Sequence, residues 1–186
     1  MPYPSQIDRD KIVQQATVMI TEDGVDKLSL HKLATALGVK APSLYRYVGN
    51  KTELIRAVNL ATLDDMFTMM HEAATSSSGK PEEKLLAIFL AYRAFAHANP
   101  RRYLLAYHEN DAYRSDEALL VQMVLPVQGI MAELIGEERS LTALRGALAL
   151  VHGFVLLEIN NQLRRGGNLD EAFQESVQAY LHGWNA

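Results

Sequence analysis

No cysteine occurs among the 186 residues, which excludes a disulfide framework, a thiolate metal site and a thiol nucleophile, and nothing points to an oxidising compartment. Residues 1–11 lack the apolar stretch of a signal peptide and carry Asp8, Arg9, Asp10 and Lys11 instead. No apolar run approaches the ~18 residues of a membrane span. The longest, 147–157, is interrupted by His152 and Gly153. These absences predict an unanchored cytoplasmic protein with no membrane partner. Sustained period-2 alternation between hairpin turns is missing, and so is any internal repeat of about 20–50 residues.

What is present suits an ordinary folded chain. Apolar residues make up 48% and charged residues 22%, near the average for soluble globular proteins. The length fits one domain or two small ones sharing a core. Helical spacing recurs almost throughout, which predicts an all-α fold.

The net charge of −4 argues against a nucleic-acid partner only if charge is evenly spread, because phosphate is met by a local patch. It is not evenly spread. Residues 1–56 hold eight Lys/Arg and six Asp/Glu, a balance of +2, and the rest hold ten and sixteen, a balance of −6. Lys27, Lys32, Lys40, Arg46 and Lys51 fall in a stretch, 27–52, with no acidic residue.

The spacing predicts a first helix from Ser5, with Ile12, Val13, Ala16, Met19 and Ile20 as its buried stripe and Gly24 as its stop. Ser29 caps a short second helix whose Leu30, Leu33, Ala34 and Leu37 share a face, and Gly38 ends it. Pro42 opens a third helix that runs to Val48, since proline is tolerated in a first turn. Asn50 and Glu53 form a capping-box-like start for a fourth helix to about Thr75. Beyond the loop 76–81, helices are expected near 82–98, 100–108, 115–135, 139–164 and 169–184. The division is a three-helix head, 1–50, and a larger helical body, 51–186, linked by the fourth helix.

Two short helices around Gly38 match the helix-turn-helix, whose second helix lies in the major groove. In the third helix Leu44 and Val48 face the core, leaving Lys40, Ala41, Pro42, Ser43, Arg46 and Tyr47 outward or at the tip. Leu28-Ser29-Leu30, Leu33-Ala34, Gly38-Val39, Leu44-Tyr45-Arg46-Tyr47 and Asn50-Lys51-Thr52-Glu53-Leu54 closely resemble the TetR family of transcriptional regulators. The resemblance covers residues 8–56 in order and at the family's spacing, with Val48 standing where the family commonly has Phe. It implies that Lys40, Ala41, Pro42 and Arg46 meet the bases of double-stranded operator DNA, while Ser29, Tyr45, Tyr47 and Lys51 hold phosphates. The Tyr45 ring is alternatively a core aromatic.

The resemblance also implies a body that binds a small-molecule effector and pairs with a second copy. Met66, Met70, Phe89, Tyr92, Tyr103, Tyr107 and Met123 suit an apolar pocket that orients a ligand, or an ordinary core. His152, within an all-round apolar stretch, either binds the effector or is a hydrogen-bonded core residue. For a homodimer through the last two helices the candidates are Val155, Ile159, Val177, Tyr180, Leu181 and Trp184. His152-Gly153 further resembles a subgroup with a Trp-His-Gly signature, of which the Trp is absent here. The function implied is a ligand-responsive transcriptional regulator, a repressor released from a palindromic operator, with an activator of the same fold as the alternative. An enzyme or metal carrier built on His71, His97, His108, His152 and His182 is disfavoured, because no two stand three or four apart and no Glu-x-x-His occurs. No cofactor or metal is expected.

Overall fold

A computed structural model of the chain describes residues 7–77 and 79–185, and among these it forms nine α-helices and no strand. They are α1 (Arg9–Asp23), α2 (Leu30–Ala36), α3 (Ala41–Val48), α4 (Lys51–Ser76), α5 (Pro81–Ala98), α6 (Pro100–Ala106), α7 (Glu117–Ile135), α8 (Glu137–Ile159) and α9 (Leu169–Asn185). The helix start expected at Ser5 lies outside the described residues. The described helix begins at Arg9, where the Asp8 carboxylate accepts the Lys11 N–H at 2.8 Å and so satisfies a free N-terminal donor.

Two compact units result. The first comprises the described residues up to Leu63 together with Asn99–Asp116. Its core is Ile12, Ala16 and Ile20 of α1, Leu30, Leu33 and Ala34 of α2, Leu44 and Val48 of α3, and Leu54, Ile55 and Val58 of α4, with Leu105 of α6 added. Residues 99–116 are fastened there by polar side chains. Arg101 donates to the Thr21 and Glu22 carbonyls at the end of α1. The buried Asn59 amide donates to the Tyr113 carbonyl at 2.8 Å and the Leu105 carbonyl at 3.4 Å. Arg56 Nε reaches the Ala112 carbonyl at 2.6 Å, and Arg102 Nε the Thr62 hydroxyl at 3.2 Å.

The second unit comprises Asp64–Ala98 and the chain from Glu117 onward. Within it α7 packs on α8, α5 on α7, α8 and α9, and α8 on α9. Helix α8 ends at Ile159 and not near residue 164. Asn161 takes a left-handed φ of 52°, which asparagine tolerates, and Gln162 N–H closes the end onto the Leu157 carbonyl at 2.8 Å. A charged clasp ties three helices here. Arg93 of α5 donates from Nε and Nη2 to the two oxygens of Glu158 at 2.8 and 2.6 Å and pairs with Asp170 at 2.7 Å, and His97 lies 3.0 Å from the same Glu158. Burial alone raises the Glu158 carboxyl, but the bonds from Arg93 and His97 outweigh it and hold the group below its ordinary value.

Taken as whole helices, α7 and α8 are each long and apolar enough to cross a membrane, although no uninterrupted apolar run in the sequence is. Much of that apolar surface is exposed, including Leu119, Val121 and Leu125 on α7 and Leu141, Leu148 and Leu157 on α8.

Candidate nucleic-acid interface

The turn between α2 and α3 follows from one residue without a side chain. Gly38 adopts φ 68°, and this left-handed step lets Val39 N–H bond back to the Ala34 carbonyl at 2.9 Å, closing α2 while the chain reverses. Ser29 accepts the Lys32 N–H at 3.2 Å and caps α2 at its other end. That bond uses an oxygen lone pair, so the Ser29 hydroxyl proton stays available to an outside acceptor.

Helix α3 starts at Ala41, with Lys40 as its capping residue and Pro42 in its first turn. Leu44 is fully buried and Val48 nearly so, which fixes the rotation of α3 about its axis and turns the remaining residues outward. Tyr45 is 52% exposed and Tyr47 41% exposed, so the core placement open to the Tyr45 ring is not the one adopted. Lys40, Pro42 and Arg46 are exposed, and Ala41 and Ser43 partly so. None of the Lys40, Tyr45, Arg46 and Tyr47 side chains makes a hydrogen bond or ion pair among the described residues.

Lys51 is the first residue of α4, and its helix start is set by a reciprocal pair. The Glu53 N–H donates to Asn50 Oδ1 at 2.9 Å, and Asn50 Nδ2 donates to Glu53 Oε1 at 2.9 Å. That pair takes up the Glu53 N–H, and the charge of Lys51, together with the backbone N–H groups ahead of Glu53, favours an anion at the head of α4. The first unit thus gathers Ser29, Lys40, Tyr45, Arg46, Tyr47 and Lys51 on the short helices α2 and α3 and the start of α4.

In the second unit α4, α5 and α7 line a half-open cleft of about 250 Å³. Of the residues expected to form a pocket, Met70 and Met123 line it. Met66, Phe89 and Tyr92 are buried, and the Tyr92 hydroxyl lies 3.1 Å from His152 Nδ1. Burial lowers the His152 imidazole below its ordinary value. Tyr103 and Tyr107 belong to the first unit, where their rings sit 5.0 Å apart. Spacing along the chain had not revealed that residues 99–116 return to the head. The cleft also takes Asp64, Phe67, Thr68, His71 and Ala74 from α4, Ile88 from α5, and Pro126, Val127 and Ile130 from α7. The signal that could have found Asp64, Thr68, His71 and Ala74 is the helical period 64, 67, 68, 71, 74.

Among the residues expected at a dimer surface, Val155, Val177 and Leu181 have essentially no accessible area. They fill the core of their own chain and have no surface left to give to a second copy. Ile159, Tyr180 and Trp184 are partly exposed. Tyr180 packs over Gly146, where a Cβ would overlap its hydroxyl, and donates to the Ala143 carbonyl at 2.7 Å.

Residues 12–58 match the bacterial regulatory proteins of the tetR family, and residues 85–180 match the tetracyclin repressor-like C-terminal domain. An uncharacterized HTH-type transcriptional regulator of Mycobacterium tuberculosis is 35% identical, over 84% of this chain and 72% of its own length. One from Bacillus subtilis is 29% identical over 92% and 90%. Among solved structures, a protein of unknown function from a Rhodococcus species superposes with a TM-score of 0.82 at 22% identity, covering all of both chains. A TetR variant from Acinetobacter baumannii, crystallised with minocycline, superposes with 0.71 at 22% identity over 96% of each.

Proposed function

The chain belongs to the TetR family of bacterial transcriptional regulators, and on that premise we propose that it is a repressor which a small molecule releases from a palindromic operator. The observation that carries the reading is α3, pinned on one side by Leu44 and Val48 and presenting Lys40, Arg46, Tyr45 and Tyr47 unpartnered on the other. Arg46 reads a guanine edge with two parallel hydrogen bonds, and Ala41 and Pro42 offer apolar contact to a thymine methyl. Ser29, Tyr45, Tyr47 and Lys51 hold phosphates and set register.

A palindromic site calls for two heads, and the homodimer supplies them at a spacing matched to the DNA repeat. Its surface is the apolar side of α8, where Leu141, Leu148 and Ile159 share one face, together with Tyr180 and Trp184 of α9. Covering that face also buries Leu141 and Leu148, two of the exposed leucines of α8. The effector enters the cleft lined by Met70 and Met123 and acts on α4, one continuous helix from Lys51 to Ser76. No enzymatic step, metal or cofactor takes part.

The test is selection of bound duplexes from a random pool, followed by binding across a salt series. A palindromic consensus is expected, with affinity falling steeply as salt rises. Failure to enrich any sequence, or association indifferent to salt, overturns the reading.

A further inference from the structure

The cleft of the second unit has an uneven charge. Eight of its lining residues are apolar: Phe67, Met70, Ala74, Ile88, Met123, Pro126, Val127 and Ile130. The other three, Asp64, Thr68 and His71, stand four and three residues apart and so lie along one face of α4. No lysine or arginine is among the described lining residues. Asp64, Thr68 and His71 are solvent-exposed and so form the open side of the cleft. The Asp64 carboxylate makes no hydrogen bond or ion pair with any described residue, so water and no protein cation offsets its charge.

We propose that this cleft selects a small amphipathic cation: an apolar body carrying a protonated amine, with Asp64 as its counter-ion. The inference rests on the reading of the cleft as the effector site and adds the chemical class of the ligand. An anionic ligand would be repelled by Asp64 and would find no basic side chain. A neutral one would gain no attraction from the carboxylate, and any water it displaced there would be lost without compensation. A cation meets attraction from several sides. The ammonium has donors for the Asp64 carboxylate and the Thr68 hydroxyl. The face of the Phe67 ring attracts positive charge, and the Met70 and Met123 thioethers are soft and polarizable. The volume of about 250 Å³ falls just below the ~300–1,000 Å³ common for drug-sized ligands, so the apolar body is small, on the scale of one ring and a short chain.

The experiment uses three probes that share one body and differ in charge: 4-phenylbutylamine, 4-phenylbutanol and 4-phenylbutyrate, titrated calorimetrically into the full chain. The amine is expected to bind about fivefold tighter than the alcohol, the upper end for a solvent-exposed ion pair, and the acid weakest. Asp64→Asn should remove the advantage of the amine and leave the alcohol unchanged. Thr68→Trp and Met123→Trp obstruct the cleft from α4 and α7, and both should abolish binding while helical circular dichroism is retained. Equal binding of all three probes, or preference for the acid, overturns the ligand class but leaves the cleft as a binding site. Amine binding that survives both tryptophan variants, or no binding by any probe, overturns the site as well.

Discussion

Replacing Arg46 by alanine separates base reading from phosphate holding, and its size can be worked from the structure. The side chain is exposed and unpartnered in the free chain, so its removal should leave folding stability within about 0.5 kcal/mol. The whole effect then falls on DNA. One bidentate guanine contact gives about 1–3 kcal/mol of discrimination, and a dimer on two half-sites loses it twice, about 2–6 kcal/mol or at least thirtyfold. Lys51→Ala is the control of opposite kind. It removes one phosphate contact per half-site, so the slope of log K against log salt should shrink by about 1.8 for the pair, with operator and random DNA weakened alike. Fluorescence anisotropy with an operator duplex and its scrambled counterpart, at several salt concentrations, reads both quantities. Equal loss on the two duplexes for Arg46→Ala would refute the base-reading role.

Glu158→Ala leaves Arg93 with the solvent-facing Asp170 and the face of the Phe173 ring, and should cost about 2–3 kcal/mol in urea unfolding at fixed protein concentration, below the ~3–5 kcal/mol of a fully buried pair. Replacing both Arg93 and Glu158 by methionine should restore most of it, and a double variant as unstable as the sum of the singles contradicts the clasp. Because burial lowers the folded-state value of His152, the unfolded chain binds the extra proton. Stability therefore holds above the ordinary value of 6.5 and declines as pH falls through it, and His152→Gln should flatten that decline between about pH 7 and 5. The contribution of Glu158 is lost only lower, as pH drops below its ordinary 4.5. Gly146→Ala, which would gain up to about 1 kcal/mol in an open helix, should instead destabilise by about 0.5–2 kcal/mol in thermal unfolding, because the new Cβ displaces the Tyr180 hydroxyl from the Ala143 carbonyl. A gain in stability there would show that Tyr180 moves aside freely.

The head was legible because its signals are local. Gly38, Pro42, the four-residue spacing of Leu44 and Val48, and the Asn50/Glu53 pair each specify backbone within a few residues of themselves. The return of residues 99–116 to the head was not, because it depends on side chains bonding to backbone carbonyls far along the chain: Arg56 to Ala112, Asn59 to Tyr113, Arg101 to Thr21. A carbonyl leaves no mark in a sequence. Periodicity likewise identified the stripes Val155 and Val177-Leu181 as apolar without telling what covers them, and their own chain does. The cleft was half hidden for the opposite reason. Asp64, Thr68 and His71 form an exposed face, and only the placement of α7 shows that an apolar cleft lies beside it.

The chain passes between its two units at 63/64, 98/99 and 116/117. The first crossing is inside α4, which holds Leu54, Ile55 and Val58 in the core of the head and Asp64, Phe67 and Met70 in the cleft. The other two bracket the segment clamped to α1 and α4. Any influence of a ligand on the head by way of the chain must therefore travel through α4, through 99–116, or through both. Arg101 tests the second route, since it grips the end of α1 from an exposed position and touches neither the cleft nor the outward side of α3. If the segment carries the signal, Arg101→Ala should leave ligand affinity and operator affinity, each measured alone, within about twofold. The coupling between them should shrink from the ~1–3 kcal/mol usual for allosteric pairs toward zero. Because coupling is reciprocal, the same loss must appear whether ligand is titrated into the DNA complex or DNA into the ligand complex. Full coupling in the variant would assign the signal to α4 alone.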